Sequence, residues 1–347
     1  MNRTVGRRDF IKSAAAGSVS LGLAFEPSAL LQVNVPEGKH IGIIGLDTSH
    51  SVAFTKALNA EVPDAAFRGF KVTAAYPKGS NDIKSSVDRI PGYTEDVKKL
   101  GVEIVGSIDE LIEKVDFVML ETNDGRLHLE QAIPVMKAGK RMFIDKPVAA
   151  SLIDTLAIFN ASSYYNAPVF SSSSLRYITG IKELSDGSSG RILGADAYSP
   201  ATLEKTHPDL FWYGVHGVEI LFTAMGTGCK TVSRAHTAGF DKVTGIWSDG
   251  RIGTFRGIRN GKSDYGATVF SEKGITVLGK YSGYNPLLLK IVEFFESGIV
   301  PVKPEETTEI FTFMAAAEES KLNGGIPVDM GKTLEKAKKK AEKIRFI

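Results

Sequence analysis

The stretch GIIGLDTSH (Gly42 to His50) decides the fold, because it joins an apolar strand pattern to a helical one through a short polar turn. The following SVAFTKALNA (Ser51 to Ala60) carries apolar residues at helical spacing. Strand and helix patterns go on alternating as far as PVFSSSS (Pro168 to Ser174). Such alternation predicts parallel strands joined by right-handed helical crossovers, which is a doubly wound α/β domain.

The pattern changes in the second half of the chain. From Arg191 onward, strand patterns follow one another directly, and several are separated by turn pairs such as Asp249-Gly250 and Lys273-Gly274. Consecutive strands with short turns predict a mostly antiparallel open sheet. Helical patterns at about 210–225, 287–297 and 305–322 make this part an α+β domain. A cleft between the two domains is the expected ligand site, and the open sheet face is a natural surface for a homo-oligomer.

Composition excludes several classes of protein. The 347 residues are 43% hydrophobic and 24% charged, which indicates a globular chain long enough for two domains. A net charge of +2 leaves no protein-wide basic surface, so no nucleic-acid partner is expected. Cys229 is the only cysteine, and no Cys/His cluster has metal-ligand spacing, so no metal is predicted. After the N-terminus, no apolar run is long enough for a stable membrane span.

The N-terminal segment GRRDFIKSAAAGSVSLGLAF (Gly6 to Phe25) has the layout of a twin-arginine export signal. Arg7 and Arg8 precede Phe10 to Lys12, and a weakly apolar stretch follows. A basic disordered tail is the alternative interpretation. The signal predicts export to the periplasm or another extracytoplasmic location, with the twin-arginine export machinery as a partner.

The turn after the first strand is a partial match to the dinucleotide fingerprint G-x-G-x-x-G. Gly45 supplies the first glycine, but Asp47 and His50 stand at the other two positions. Asp47 would bring negative charge towards a diphosphate unless its side chain turns away or caps the helix. Thr48 and Ser49 offer hydroxyl donors at the helix start, and His50 offers a ring N–H. Alone, this turn leaves cofactor binding open.

The second strand ends in AAYPKGS (Ala74 to Ser80), without the acidic residue that usually binds the ribose hydroxyls of NAD. Lys78 and Ser80 stand there instead, and a cation with a hydroxyl would suit the 2′-phosphate of NADP. An ordinary Pro-Lys-Gly turn explains the same residues equally well.

The stretch AGKRMFIDKPVAAS (Ala138 to Ser151) resembles the Gfo/Idh/MocA family of sugar-type oxidoreductases. The mark of that family here is Glu-Lys-Pro after Ala-Gly-Lys and a short strand, and Asp145 replaces the glutamate. The resemblance covers nearly everything after about His40, including FMAAAEESKLNGGIPV (Phe313 to Val328) near the C-terminus. It implies an N-terminal Rossmann-like domain that binds NAD or NADP, which in an exported enzyme would be held tightly.

The resemblance also implies roles for individual residues. Lys146 would lie near the nicotinamide ribose and the reacting hydroxyl, and His216, in WYGVHGVEIL, would be the general base. The family's aspartate in this second motif is replaced by Trp212. Asn123 would lie near the cofactor, where the family's Thr-Pro is absent. The resemblance further implies substrate contacts from three residues: Arg176, Trp212 and Tyr213.

Structural interpretations of these residues remain open. Lys146 could be a surface residue at a strand end, and His216 a buried helix histidine without a catalytic role. Trp212 and Tyr213 could belong to the core, although aromatic rings also stack on sugars.

Three functions are consistent with the sequence. The first is an NAD(P)-dependent oxidoreductase acting on a sugar, polyol or related hydroxyl compound. The second is a glycoside hydrolase or lyase that oxidises its substrate transiently, with no net redox change. The third is a binding homologue that has lost catalysis. The predicted organisation is an export signal and linker (1–35), a dinucleotide-binding domain (36–172), a substrate and oligomerisation domain (173–330) and a basic C-terminal helix (331–347).

Overall fold

The computed structural model describes residues 38–346, so the predicted export signal lies outside the described residues. Six parallel strands form the first sheet, in the order β3-β2-β1-β4-β5-β6. The strands are β1 (His40–Ile44), β2 (Lys71–Tyr76), β3 (Glu103–Ile104), β4 (Phe117–Leu120), β5 (Met142–Ile144) and β6 (Val169–Ser171). This sheet confirms the doubly wound N-terminal fold, and the two-residue strand β3 is an addition to the predicted strands.

Helices cover both faces of the first sheet, as a doubly wound fold requires. One face carries α1 (Ser49–Leu58) and α3 (Ile90–Lys99), and the other carries α4 (Ile108–Lys114), α5 (His128–Lys137) and α6 (Leu152–Tyr164). The short helix α2 (Lys84–Val87) lies between β2 and α3. The sequence had indicated only a polar loop after β2, because the residues there carry few apolar positions; the structure places two helices in it.

The second sheet has seven strands in the order β12-β11-β7-β10-β9-β8-β13. They are β7 (Ile192–Pro200), β8 (Cys229–His236), β9 (Phe240–Trp247), β10 (Ile252–Ile258), β11 (Gly266–Ser271), β12 (Gly274–Leu278) and β13 (Val328–Asp329). All neighbours pair antiparallel except β7 and β10, which run parallel. The predicted mostly antiparallel sheet is therefore confirmed.

Five helices accompany this sheet: α7 (Ile181–Ser185), α8 (Val215–Met225), α9 (Asn285–Ser297), α10 (Pro304–Leu322) and α11 (Met330–Ala341). A π-helical turn, Leu210–Gly214, leads directly into α8. Helices α8 and α10 pack on one face of the sheet. Among residues 38–346, no helix combines the length and the apolar character needed to cross a membrane.

Helix α9 packs its apolar side chains into the core of the first sheet. The ring of Phe295 stacks on Phe117 of β4, with ring centroids 4.8 Å apart. Phe294 meets Phe170 of β6 edge-on, with centroids 5.0 Å apart. All four rings are fully buried. Helix α9 therefore belongs to the core of the first sheet, although it follows β12 of the second sheet in the chain.

The other face of the second sheet carries a row of exposed apolar side chains. Strand register aligns Ile246, Ile252, Phe270 and Ile275 across β9, β10, β11 and β12, with Gly194 of β7 between them. Their exposed fractions are 45%, 54%, 38% and 67%. Contiguous exposed apolar surface of this kind commonly marks a protein interface. The homo-oligomer through this sheet stays a prediction.

We expect Ile252→Lys to lower the mass of the particle in solution, because a charge in the middle of this row would be buried unpaired in an interface. Sedimentation velocity measures the change. Ile299→Lys is the matched control, since Ile299 is 75% exposed and lies outside the row. A wild-type chain that sediments as a monomer at all concentrations, or an unchanged Ile252→Lys particle, would contradict the prediction.

Candidate active site

The turn after β1 has room only for a glycine at its first position. Gly45 has a φ of +90°, which side chains rarely adopt. A Cβ atom there would lie 2.4 Å from the hydroxyl oxygen of Thr122, just after β4. The turn therefore passes close to the end of β4, as the first glycine of a dinucleotide fingerprint allows.

Asp47, at the position of the second glycine, turns away from the cavity described below. Its carboxylate accepts the backbone N–H of Ser80 at 3.0 Å and that of Asn123 at 2.9 Å. The side chain is fully buried, and burial raises the pKa of Asp47 although both N–H groups oppose that rise. Asp47 thus ties the turn after β1 to the loops that follow β2 and β4.

A second set of hydrogen bonds and ion pairs extends from Ser80 towards the solvent. The Ser80 hydroxyl donates to Asp124 at 2.9 Å, and Arg126 pairs with both Asp124 and Asp82. Lys78 does not reach the cavity, although its backbone carbonyl accepts a long bond from Gln131. The loop after β2 is therefore held by the protein's own side chains.

A cavity of about 290 Å³ opens at the carboxyl ends of β1, β4 and β5. It brings together eight of the residues that the sequence singled out: Thr48, Ser49, His50, Asn123, Lys146, Trp212, Tyr213 and His216. It adds eight others: Ser85, Arg89, Tyr93, Ser174, Leu175, Tyr265, Tyr281 and Tyr284. Gly45, Asp47, Lys78 and Arg176 are predicted site residues that do not line it.

One half of the cavity presents hydrogen-bond donors for an anion. Thr48 caps α1, and its hydroxyl lies 3.5 Å from the backbone nitrogen of His50. Ser49 and Ser85 add hydroxyl groups, and Arg89 adds a guanidinium that pairs with no carboxylate among residues 38–346. Neutral donors at a helix start, together with a cation, fit the diphosphate of a dinucleotide. Sequence reasoning missed Ser85 and Arg89, because they lie in the segment that was interpreted as a loop.

The other half of the cavity contains the two predicted catalytic side chains. Lys146 follows β5 and His216 lies in the first turn of α8, and both are more than nine-tenths buried. The Nδ1 atom of His216 lies 2.7 Å from the hydroxyl oxygen of Ser173. Burial lowers the pKa of His216 well below its usual value, and the charges of Lys146 and His50 lower it further. His216 is therefore a neutral imidazole at neutral pH.

Aromatic side chains form part of the cavity wall. The ring of Tyr213 lies 5.1 Å from that of His216, and its hydroxyl accepts a bond from Tyr265 at 3.2 Å. Trp212 packs against His207, with ring centroids 4.9 Å apart. Trp212 and Tyr213 are only partly buried and keep surface towards the cavity. The π-helical turn presents both residues beside His216.

Arg176, predicted to contact the substrate, is placed elsewhere. Its guanidinium pairs with Glu219 of α8 at 2.9 Å and with Glu306 of α10 at 2.6 Å. These two ion pairs join helices, so Arg176 contributes to packing beside the site, and it does not line the cavity. Asp209 is likewise engaged in ion pairs with Arg234 and Lys321 and cannot replace the aspartate missing at Trp212.

His50 contacts a buried carboxylate beneath the cavity. Its Nδ1 atom lies 2.8 Å from Asp145, and its ring meets Tyr284 edge-on. Burial alone would raise the pKa of Asp145, but His50 and Lys146 hold it at about 2. The sequence had assigned His50 to the cofactor phosphates; the structure shows that one ring nitrogen faces Asp145.

The first domain matches the model of a known protein family. Residues 39–171 match the model of the GFO_IDH_MocA family, described as "Oxidoreductase family, NAD-binding Rossmann fold". An uncharacterized oxidoreductase of Streptococcus pneumoniae is 25% identical over 120 residues. That match covers 33% of this chain and 32% of the relative, so the chain spans about a third of that relative's length.

Solved structures extend the likeness over both domains. A protein described as a "probable dehydrogenase" from Thermotoga maritima superposes with a TM-score of 0.70 at 18% identity, over 85% of this chain and 99% of that one. Scyllo-inositol dehydrogenase from Lactobacillus casei, solved with NAD(H) and scyllo-inositol, gives 0.65 at 15% identity, over 84% and 99%. At these identities the superpositions establish a shared fold.

We expect Asp47→Gly, which restores the second glycine of the fingerprint, to lower the free energy of unfolding by about 2–4 kcal/mol. The substitution leaves the N–H groups of Ser80 and Asn123 without their acceptor, and each buried unpaired donor costs about 1–3 kcal/mol. Urea unfolding measures the loss. Asp88→Asn is the control, because Asp88 is solvent-exposed and should stay within about 0.5 kcal/mol of wild type. A glycine variant as stable as wild type would show that the carboxylate does not hold these loops.

Proposed function

We propose that this chain is an NAD(P)-dependent oxidoreductase of a sugar or polyol. Its residues 39–171 belong to the Gfo/Idh/MocA oxidoreductase family and form its NAD-binding Rossmann fold. One observation carries the proposal. Lys146 from the first domain and His216 from the second are both buried and line one cavity, beside the hydroxyl-rich start of α1.

The cavity residues fit a bound dinucleotide. Thr48, Ser49, Ser85 and Arg89 would hold the diphosphate, and Asp47 does not oppose it, because its carboxylate is turned away and already bonded to two N–H groups. The bound cofactor would supply the hydride acceptor. Its nicotinamide half would lie at the end of the cavity that contains Lys146 and His216.

The two buried side chains can move a proton and stabilise charge. A neutral His216 can accept the proton of a substrate hydroxyl. In that role its Nδ1–H donates to the Ser173 hydroxyl oxygen, which leaves Nε2 free to accept the proton. The ammonium of Lys146 would stabilise the negative charge that develops on the same oxygen. Because His216 is neutral at neutral pH, it is already in the form that a general base requires.

The wall of the cavity supports a sugar or polyol as the substrate. Trp212, Tyr213, Tyr265 and Tyr281 present flat apolar faces, and the three tyrosines add hydroxyl groups. Sugar rings likewise present apolar faces edged with hydroxyls. Scyllo-inositol in the Lactobacillus casei dehydrogenase is a compound of this class. The identity of the sugar or polyol is left to experiment.

We expect His216→Gln to slow substrate-dependent reduction of the nicotinamide by about 10²- to 10⁴-fold, the usual contribution of a general base. Lys146→Met should lose activity as well, with little change in nucleotide affinity. A panel of inositols, hexoses and hexitols, read by nicotinamide fluorescence, identifies the substrate and the rates. His40→Gln is the control, since His40 is exposed at the start of β1, opposite the cavity.

Wild-type rates in His216→Gln would remove His216 from the chemistry. The same panel separates the functions that the sequence left open. Release of a ketone product supports the oxidoreductase, whereas release of an aglycone with no net nucleotide reduction supports the hydrolase or lyase. Nucleotide binding with no chemistry on any member of the panel contradicts the proposal.

The proposal includes export by the twin-arginine route, which carries folded proteins and would therefore deliver the enzyme with its cofactor bound. It rests on Arg7 and Arg8 and the weakly apolar stretch after them. We expect the wild-type chain to be found in the periplasm of a bacterial host that has this machinery, and the double variant Arg7→Lys, Arg8→Lys to stay in the cytoplasm. Cell fractionation measures both. A wild-type chain confined to the cytoplasm would contradict export.

A further inference from the structure

We propose that His50, Glu121 and Asp145 form a binding site for one divalent metal cation beneath the floor of the cavity. Each residue comes from a different part of the fold: His50 from the first turn of α1, Glu121 from the end of β4 and Asp145 from the end of β5. One ligand atom from each lies within 4.8 Å of the other two, and all three side chains are buried. The site is independent of the proposed reaction.

The buried carboxylate of Glu121, which has no partner, is the observation that points to a ligand. It is fully buried, and neither of its carboxylate oxygens has a hydrogen-bond partner. A buried carboxyl group without partners is costly, and natural folds keep such groups paired, protonated or bound to a metal. Burial and the nearby carboxylate of Asp145 both disfavour a negative charge on Glu121 that no cation balances. A cation at this position would remove both penalties.

The neighbouring atoms are also left without directed partners. The second carboxylate oxygen of Asp145 has none, and the ring of His50 is not aimed to donate along its 2.8 Å contact with Asp145. When two atoms bind one ion with bonds of about 2.1 Å and the two bonds meet at a right angle, the atoms lie about 3 Å apart. The 2.8 Å contact therefore has the length expected of two ligands of a common ion.

The charges near the site allow a divalent ion. Glu121 and Asp145 supply two negative charges, and Lys146 supplies one positive charge next to Asp145. With a neutral His50, a divalent ion would leave this group of residues with a single positive charge. Because His50 lines the cavity, that charge would lie close to it and would favour an oxyanion there.

The ligand set selects the class of metal. Two carboxylates and one imidazole suit Mn²⁺, Fe²⁺ or Zn²⁺, whereas Mg²⁺ and Ca²⁺ prefer oxygen ligands alone. Three protein ligands also leave coordination positions for water or for a ligand from the cavity. The three residues are too far apart in the sequence for any spacing motif, which is why the sequence predicts no metal.

The test is metal binding by the purified full chain, stripped with a chelator and kept free of nucleotide. We expect the wild type to bind one Mn²⁺ per chain, as shown by the loss of the free Mn²⁺ signal in electron paramagnetic resonance. Glu121→Gln and Asp145→Asn should each weaken binding more than about 100-fold, beyond the 10- to 100-fold typical of residues that only orient a ligand. Zn²⁺ titration by calorimetry gives a second measure.

Two controls keep the result interpretable. His216→Gln alters a histidine of the same cavity outside the cluster and should bind Mn²⁺ as the wild type does. Thermal melts check that the variants fold, and His50→Gln provides a further ligand variant if a carboxylate variant does not fold. A wild-type chain that binds neither Mn²⁺ nor Zn²⁺ at millimolar concentration overturns the proposal. Unchanged affinity in Glu121→Gln does so as well.

Discussion

The carboxylate of Asp47, held between the backbone N–H groups of Ser80 and Asn123, is the constraint on which the rest of the site depends. It joins the turn after β1 to the loops after β2 and β4 at one buried point. A glycine at this position would leave the loops to be positioned by a bound ligand. Here the protein positions them itself, so the carboxyl edge of the sheet is organised before any cofactor arrives.

That organisation determines which surfaces are left for a ligand. The loop after β2 is closed by Ser80, Asp124 and Arg126, and the open cavity runs from the start of α1 towards Ser85 and Arg89. The second domain completes it by bringing His216 and several aromatic side chains into the same cavity as Lys146. Helix α6 of the first domain packs against α10 and α11 of the second, which joins the two domains. Binding and chemistry thus share one cavity built from distant parts of the chain.

The sequence predicted the features that depend on local pattern. The two sheets, the α8 helix and the meeting of Lys146 with His216 follow from periodicity and from a family motif. Asp47 could be recognised as a departure from the fingerprint, but its two N–H partners are 33 and 76 positions away, so its function as a tie could not be read from the sequence. The resemblance alone placed Arg176 at the substrate, whereas in the structure Glu219 and Glu306 engage it.

Features that depend on tertiary contacts were missed. Arg89 and Ser85 lie in a segment with too few apolar residues to indicate helices. Glu121 follows an apolar strand and attracts attention only when its burial beside Asp145 is seen. His50, Glu121 and Asp145 come from three separate parts of the sequence and prove to be neighbours in space. Such a cluster is visible only in the folded chain.

The central claim is that this rebuilt turn still holds a nicotinamide dinucleotide. Mass spectrometry of the nucleotide released from gently purified protein, made in a host that exports it, tests the claim most directly. We expect about one NAD or NADP per chain. Protein that releases no nucleotide, and that shows no saturable binding of added NAD or NADP, would contradict it.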